Sequence, residues 1–314
     1  MGCRLGSERR APAPTSPWGT EMFGLEGLPA LWLLLLGVVW ALYLGLGGAD
    51  LGASMLLRRF EDRAAVLRAN GPTWQANDVW LVIAVAATFG AFPGWYAAWT
   101  SGLYGVVLVI ILALIVRHAG VELVGHVSGR AVAAWTWAIV LSAWVTAVGW
   151  GVVWAWMLEG ALTWATVLCG VALALVCRVA GAAFLAGRVD ERVTVRREPA
   201  VLVAIVAGVA LGEPWLLVIG AALVLTLVPR LSLWGAGVAA ALLPLCVLAA
   251  VSPFVAGIDL REEAAGDYTL TIMTVLAAVF LPLILLAHGF AYSRFKREPG
   301  GLVRLARRGL EQLR

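Results

Sequence analysis

The chain has 314 residues, of which 62% are hydrophobic and 13% are charged, and its mean hydropathy is +0.91. A soluble globular domain carries roughly 25% charged residues, so this composition excludes a water-soluble main body. The formal charge of +4 comes almost entirely from arginine, because Lys296 is the only lysine. In a membrane protein such residues anchor cytoplasmic loops, which argues against a nucleic-acid partner. The four cysteines form no C-x-x-C pair, so neither a zinc site nor a disulfide is predicted.

The first segment, residues 1–27, is polar and rich in proline, glycine and serine. It has too few apolar residues for the core of a signal peptide. We predict a disordered extension, with Met22 as an alternative start of translation. Residues 28–293 form the predicted polytopic membrane domain, and residues 294–314 form a predicted basic cytoplasmic tail.

Nine apolar runs follow along the chain. They lie at about 28–48, 79–99, 101–116, 131–157, 160–186, 200–212, 215–229, 233–252 and 268–292. None alternates like a barrel strand, so each is predicted to be a helix. The runs 200–212 and 215–229 are shorter than the roughly 20 residues that span a bilayer. They are one kinked helix, two tilted short helices or a re-entrant hairpin. The predicted fold is an all-α integral membrane bundle of about nine transmembrane helices, or eight if 200–229 is a single or re-entrant element.

The arginine distribution predicts the orientation of this bundle. With the N-terminus outside and nine crossings, most of the 23 basic residues fall on the cytoplasmic side, as the positive-inside rule requires. A single crossing at 200–229 would instead export the basic tail and internalise the acidic loop 259–267. We therefore expect an even number of crossings or a re-entrant hairpin there, with the C-terminus cytoplasmic.

Ionisable residues near the ends of the first three runs are the candidate functional groups. Asp50 follows the first run, Asp78 opens the second, and Arg117 and Glu122 close the third. They are either solvated helix ends, with Asp78 as an N-cap, or members of a proton-uptake route. Arg178 is predicted to lie near mid-membrane in the fifth run, where it either snorkels to the interface or serves a functional or intersubunit role.

Two stretches carry a resemblance to a known family. Residues 48–52 read GADLG and residues 71–81 read GPTWQANDVWL. They resemble the D-G-F-D-x-G and G-P-x-W-D-x-N-x-V-W-L stretches of subunit II of the cytochrome bd-type quinol oxidases. The residues of this structural motif are Gly48, Gly52, Trp74, Asn77, Trp80 and Pro93. Arg117 with Glu122, and the run 268–292, continue the resemblance.

The resemblance implies a bacterial plasma-membrane enzyme that oxidises membrane quinol and reduces dioxygen to water. It implies that haems b and d lie in a partner subunit I, and that this chain is a haem-free scaffold that binds no metal. His118, His126 and His288 are accordingly interpreted as interfacial or loop histidines. Asp50, Asp78, Arg117 and Glu122 would form a cytoplasmic proton-uptake route. The expected assembly is a heterodimer or larger, in contact with lipid and quinone.

The chain departs from the family pattern at two acids. Gln75 and Gly47 stand where the family has aspartates, and glutamine cannot exchange a proton. Either Asp78 substitutes nearby or the route is weakened. Two other functions stay open. One is a small-solute permease, although transporters usually have paired broken helices and this chain has one interrupted pair, at 200–229. The other is a divergent structural or assembly paralogue without proton transfer.

Overall fold

A computed structural model describes residues 25–186, 188–191, 193–212, 219, 222–228, 231–252, 254–255 and 257–295. The predictions for the extension 1–27, including Met22, and for the tail 294–314 fall almost entirely outside the described residues. Most of the short run 215–229 and the break at Glu213-Pro214 fall outside them too.

The described chain is almost entirely helical. Its helices are α1 (Gly27–Leu56), α2 (Arg63–Ala91), α3 (Pro93–Gly102), α4 (Tyr104–Leu123), α5 (Arg130–Glu159), α6 (Trp164–Leu185), α7 (Glu198–Leu211), α8 (Ser232–Val251), α9 (Leu260–Glu263) and α10 (Asp267–Phe295). Short 3-10 turns occupy Leu57–Arg59, Val124–His126 and Leu225–Leu227. Phe254–Val255 pairs with Ile258–Asp259 in a two-stranded antiparallel ribbon.

Six of the described helices are long and apolar enough to cross a membrane, namely α1, α4, α5, α6, α8 and α10. The pair α2 and α3 would make a seventh span, but the chain bends by 117° between them. An all-α membrane protein is therefore confirmed, whereas the predicted count of about nine helices is not. Helix α7 has only 14 residues, which agrees with the short run predicted at 200–212.

Side-chain contacts fix the relative directions of the helices. Trp40 of α1 donates to Thr88 of α2, and Asn70 of α2 donates to Asp50 of α1, so these helices are antiparallel. Helix α6 instead runs parallel to α1. A side chain at Gly52 of α1 would collide with the backbone of Cys177 and Gly181, so glycine permits this close crossing.

The bundle has two chemically different ends. The turns after α1 and α4, the first residues of α2 and α5 that follow them, and the segment after α6 together carry most of the described arginines, and we call this the arginine-rich end. The backbone N–H of Glu61 donates to Glu191 there at 2.9 Å. The opposite end holds the loop before α10 with its carboxylates, and we call it the acidic end. The N–H of Ala265 donates there to the carbonyl of Ala91 at 2.9 Å.

The segment that begins with α7 returns to the end from which it starts. Arg197, which precedes α7, donates from its guanidinium to the carbonyl of Leu227 at 3.3 Å. The two ends of 198–227 are therefore close together. This contact supports an even number of crossings or a re-entrant element in this segment.

The second helix differs from its predicted course. It begins at Arg63 rather than near residue 79, and Asp62 caps it by accepting from the N–H of Ala65 at 2.8 Å. Asp78 therefore lies in the middle of α2, and its predicted role as an N-cap is wrong. Helix α1 also continues beyond the end of the first apolar run at residue 48, to Leu56. In both places the helix extends past the end of the apolar run.

Candidate functional site: a buried polar cluster between α1, α2 and α4

The centre of the cluster is an ion pair between Asp50 of α1 and Arg117 of α4. One terminal guanidinium nitrogen of Arg117 lies 2.8 and 2.9 Å from the two carboxylate oxygens of Asp50. Asn70 of α2 donates to the same carboxylate at 2.7 Å. Asp50 and Arg117 are each only 2% exposed. A buried charge pair is tolerated when its partners supply such hydrogen bonds, so the three helices are joined at this point.

A second, more open pair lies next to the first. Nε2 of His118 is 2.8 Å from the carboxylate of Asp78, and the other carboxylate oxygen is 3.9 Å from Arg117. The indole ring of Trp74 stacks on the imidazole of His118, with 4.7 Å between ring centroids. Trp74 and Asp78 are four residues apart and share one face of α2. Both side chains of the Asp78–His118 pair are partly exposed, at 25% and 33%, so this side of the cluster is its accessible side.

The cluster joins α4 to two helices, α1 and α2, with which its backbone makes little direct contact. The backbone of α4 packs mainly on α5, where Gly120 contacts Ile139 and Trp135. Arg117 and His118 reach from α4 to α1 and α2. Polar side-chain contacts therefore connect α4 to the first two helices.

The other predicted site residues lie elsewhere. Glu122 is exposed in the last turn of α4, where its carbonyl oxygen lies 2.9 Å from Nδ1 of His126, and the structure does not bring it into the cluster. Gln75 is exposed on α2, and Gly47 lies beside Tyr43. Arg178 is partly exposed on α6, seven residues before the end of that helix at Leu185, and its depth in the membrane stays a prediction.

The structural-motif residues mainly hold helices together. Gly48 and Gly52 pack against Cys177 of α6. Asn77 is buried, and buried Trp80 donates to Nε2 of His288 on α10 at 3.4 Å. Pro93 opens α3 in its first turn, directly after the bend.

Two members of the cluster were missed from sequence. His118 was interpreted as an interfacial or loop histidine, but it lies inside α4. Asn70 was not considered, although its position carries a signal. Asp50 and Asn70 are each ten residues from Phe60, which lies in the turn between α1 and α2. In an antiparallel helix pair, residues equally far from the connecting turn lie opposite one another.

The comparison with known families agrees with this arrangement. The chain matches the family model of cytochrome bd terminal oxidase subunit II over residues 28–295. The chain belongs to this family. The resemblance drawn from residues 48–52 and 71–81 is therefore confirmed, and the family does not favour a small-solute permease.

Curated relatives of this subunit II match it over shorter stretches. Cytochrome bd ubiquinol oxidase subunit 2 of Bacillus subtilis (strain 168) is 34% identical over 120 residues, which are 37% of this chain and 36% of the relative. Cytochrome bd-I ubiquinol oxidase subunit 2 of Escherichia coli (strain K12) is 31% identical over 144 residues, or 44% of this chain and 38% of the relative. A probable cytochrome oxidase subunit 2 of Haemophilus influenzae is 30% identical over 146 residues, or 44% and 38%. The matched stretches span less than two fifths of each relative.

Proposed function

We propose that this subunit II is the haem-free scaffold of a cytochrome bd-type oxidase, which oxidises membrane quinol and reduces dioxygen to water. Haems b and d would lie in a partner subunit I, and the complex would reside in the bacterial plasma membrane. The observation that carries this proposal is the family match over residues 28–295. Proton transfer at the polar cluster is the contribution that we assign to this chain itself.

The histidines of the chain do not fit a haem site. Haem iron in a helix bundle normally takes an axial His, Met, Cys or Tyr ligand aimed at the macrocycle. His118 contacts Asp78, His126 contacts the carbonyl of Glu122, and His288 contacts the indole of Trp80. The apolar cavity between α6, α7 and α8 is small, about 40 Å³, and its described lining includes Cys169 but no histidine. These contacts support haem binding by a partner rather than by this chain.

The surface suited to subunit I is the outward side of α2, α4 and α10. Asp78 of α2 contacts α4, whereas Trp80 contacts α10. At about 100° per residue, the exposed stripe of α2 that includes Val79 and Val82 lies between those two contacts. The partly exposed Asp78–His118 pair borders this stripe. Lipid tails cannot hydrogen-bond to a carboxylate or an imidazole, whereas a protein partner can, so this surface suits a subunit interface.

Within the cluster the two pairs suit different tasks. Arginine does not release its proton in proteins, so Arg117 cannot pass one between Asp78 and Asp50. Its guanidinium lies 2.8 Å from the carboxylate of Asp50 and 3.9 Å from that of Asp78, and so it holds both carboxylates in place. Asp78 and His118 are close enough to share a proton, and both are partly exposed. We therefore assign proton acceptance to the Asp78–His118 pair and positioning to the Asp50–Arg117 pair. Glu122, exposed on the same end, is a candidate donor to this pair.

The membership proposal is tested by purification from membranes through an affinity tag on this chain. A haem-bearing subunit should co-purify, and the membranes should lose their bd-type haem spectrum when the gene is deleted. If the chain is recovered alone and the spectrum is unaffected by the deletion, the oxidase proposal fails.

The proton-transfer proposal is tested by neutralising single acids and measuring quinol-dependent oxygen consumption and haem content. Asp78→Asn should slow turnover by at least about tenfold, because a positioned proton-transfer group contributes roughly 10²–10⁴-fold. Glu122→Gln should slow it less. Glu61→Gln, at an exposed acid of the same end outside the cluster, is the matched control and should not slow it. Unchanged turnover in Asp78→Asn, with full haem content, would remove the route from this chain.

A further inference from the structure

One ring nitrogen of His118 is engaged inside the polar cluster. Its Nε2 lies 2.8 Å from a carboxylate oxygen of Asp78 and 3.4 Å from a terminal nitrogen of Arg117. A carboxylate only accepts hydrogen bonds and a guanidinium only donates them, so the two neighbours make opposite demands on this atom. The carboxylate is the nearer of the two, and 3.4 Å is long for a hydrogen bond. Nε2 therefore carries a proton and donates it to Asp78.

The other ring nitrogen of His118 is accessible. Within the described residues Nδ1 has no hydrogen-bond partner, and it is not among the buried polar atoms that lack one. The side chain is 33% exposed, and His118 precedes the end of α4 at Leu123 by five residues, or about 7.5 Å along the axis. In a neutral imidazole with its proton on Nε2, Nδ1 carries a lone pair. A proton acceptor is therefore open near the arginine-rich end.

Trp74 holds the plane of this imidazole. Its indole ring stacks on the ring of His118 with an interplanar angle of 26°. Trp74 and Asp78 are one turn apart on α2, so the helix that orients Nε2 also supplies the surface against which the ring lies. A half-turn of the imidazole, which would exchange the two nitrogens, would pass it edge-on toward the indole. The stack therefore keeps Nδ1 on the accessible side, and an aromatic face also stabilises a cation placed over it.

These groups lie next to a position where the chain departs from the family motif. Gln75 stands where the motif has an aspartate, and Asp78 occupies a position that the motif leaves unspecified. Residues three apart are neighbours on the surface of a helix. The Asp78–His118 pair therefore returns titratable groups to the region of α2 in which position 75 has lost one.

We propose that Nδ1 of His118 is the atom at which the cluster takes up and releases its proton, with Asp78 and Trp74 as positioning residues. Uptake forms an N–H bond at Nδ1 and converts the imidazole into an imidazolium, and release breaks the same bond. The proton on Nε2 stays in place, so Asp78 remains a carboxylate that fixes the tautomer and stabilises the imidazolium, as the carboxylate of a Ser-His-Asp triad does. The proposal rests on the proposed proton transfer and names the atom that performs it.

Chemical rescue of the purified oxidase complex tests the proposal. His118→Ala should slow quinol-dependent oxygen consumption by at least about tenfold, and added imidazole should restore much of it, because the free base can carry a proton in the vacated space. Imidazole should not restore Asp78→Asn, in which His118 still fills that space but in the wrong tautomer. His126→Ala, at an exposed histidine of the same end outside the cluster, is the matched control and should change neither turnover nor its response to imidazole.

The stack is tested by two substitutions of Trp74. Trp74→Phe keeps an aromatic face and should keep most of the turnover, whereas Trp74→Leu should slow it roughly two- to fivefold. Haem content reports assembly in each variant. If His118→Ala does not assemble, this comparison decides, and equal turnover in the two Trp74 variants would contradict the proposal.

The outcomes separate this proposal from the function on which it rests. Slow turnover in His118→Ala that imidazole does not restore would assign His118 a structural role and overturn the proposal, while Asp78 could still transfer protons. Unchanged turnover in His118→Ala with slow turnover in Asp78→Asn would have the same meaning. Unchanged turnover in both variants, with full haem content, would remove proton transfer from the cluster altogether.

Discussion

At the scale of single residues, the Asp50–Arg117 pair is the most consequential contact in the described structure. Both groups are buried, and they join helices whose backbones make little direct contact. Removing one partner of a buried ion pair leaves an uncompensated charge and typically costs about 3–5 kcal/mol. Replacing both partners by apolar side chains costs much less. The pair therefore contributes chiefly by fixing where α4 lies against α1.

The corresponding prediction concerns stability in detergent. Arg117→Met should lower the free energy of unfolding by about 3–5 kcal/mol, and the double variant Asp50→Leu/Arg117→Met should recover part of this loss. Thermal unfolding of the purified complex measures both changes. Arg130→Met, at an exposed arginine of the same end, is the control and should change stability little. A loss in Arg117→Met no larger than that in Arg130→Met would contradict the prediction.

The sequence identified some of these residues and missed others for a clear physical reason. Asp50, Asp78 and Arg117 are ionisable groups at the margins of apolar runs, so the sequence alone identified them as candidate functional residues. Asn70 and His118 act through tertiary contacts, with Asp50 and Asp78 respectively. His118 was misread because the third apolar run stops at Val116, whereas α4 continues to Leu123. Once a helix is known to include residues 117 and 118, their side chains become candidates to face the neighbouring helices.

At the scale of elements, helix ends are the features that hydropathy predicts least well. Hydropathy reports where side chains are apolar, but a helix continues through polar residues as long as its backbone groups are satisfied. Helix α2 therefore extends 16 residues beyond the predicted start at residue 79, as far as Arg63. The Asp62 cap at this end is a local signal in the sequence. The bend of 117° after α2 is likewise marked by Phe92-Pro93, within what was predicted as one run at 79–99.

The Asp62 cap gives a prediction at this scale. Asp62→Ala removes the acceptor for the N–H of Ala65 and should destabilise the first turn of α2 by about 1 kcal/mol. Hydrogen exchange of backbone amides at 63–69, followed by mass spectrometry, should then be roughly fivefold faster. Asp62→Asn keeps a capping oxygen and removes the exposed 3.8 Å pair with Arg68, so it should exchange nearly as the wild type does. Equal exchange in the alanine variant and the wild type would show that the cap is dispensable.

At the scale of the whole molecule, charge and geometry lead to the same topology by separate routes. The arginine count required the segment 198–228 to return to its starting side. The contact between Arg197 and the carbonyl of Leu227 brings both ends of that segment together. The number of helices was harder to predict, because apolar runs do not distinguish a full span from a bent pair such as α2 and α3. Whether the number of crossings is even or odd follows from the distribution of charged residues between the two sides. The number of helices depends instead on where the chain bends.

The orientation of the bundle is open to a direct test with a membrane-impermeant maleimide. Glu262→Cys, at the acidic end, should be labelled in intact spheroplasts, whereas Glu61→Cys and Arg196→Cys, at the arginine-rich end, should be labelled only after the membrane is broken. All three positions are exposed, so reagent access depends on the side of the membrane rather than on burial. The buried Cys169, Cys177 and Cys246 give little background, and Cys3, outside the described residues, is replaced by serine. Labelling of Arg196→Cys without labelling of Glu61→Cys would place an odd number of crossings between the two positions, against the contact of Glu61 with Glu191.

The reverse pattern, with Glu61→Cys and Arg196→Cys labelled in spheroplasts and Glu262→Cys protected, would keep the fold but invert it in the membrane. The Asp78–His118 pair would then open to the outside, and proton uptake from the cytoplasm through this subunit would be excluded.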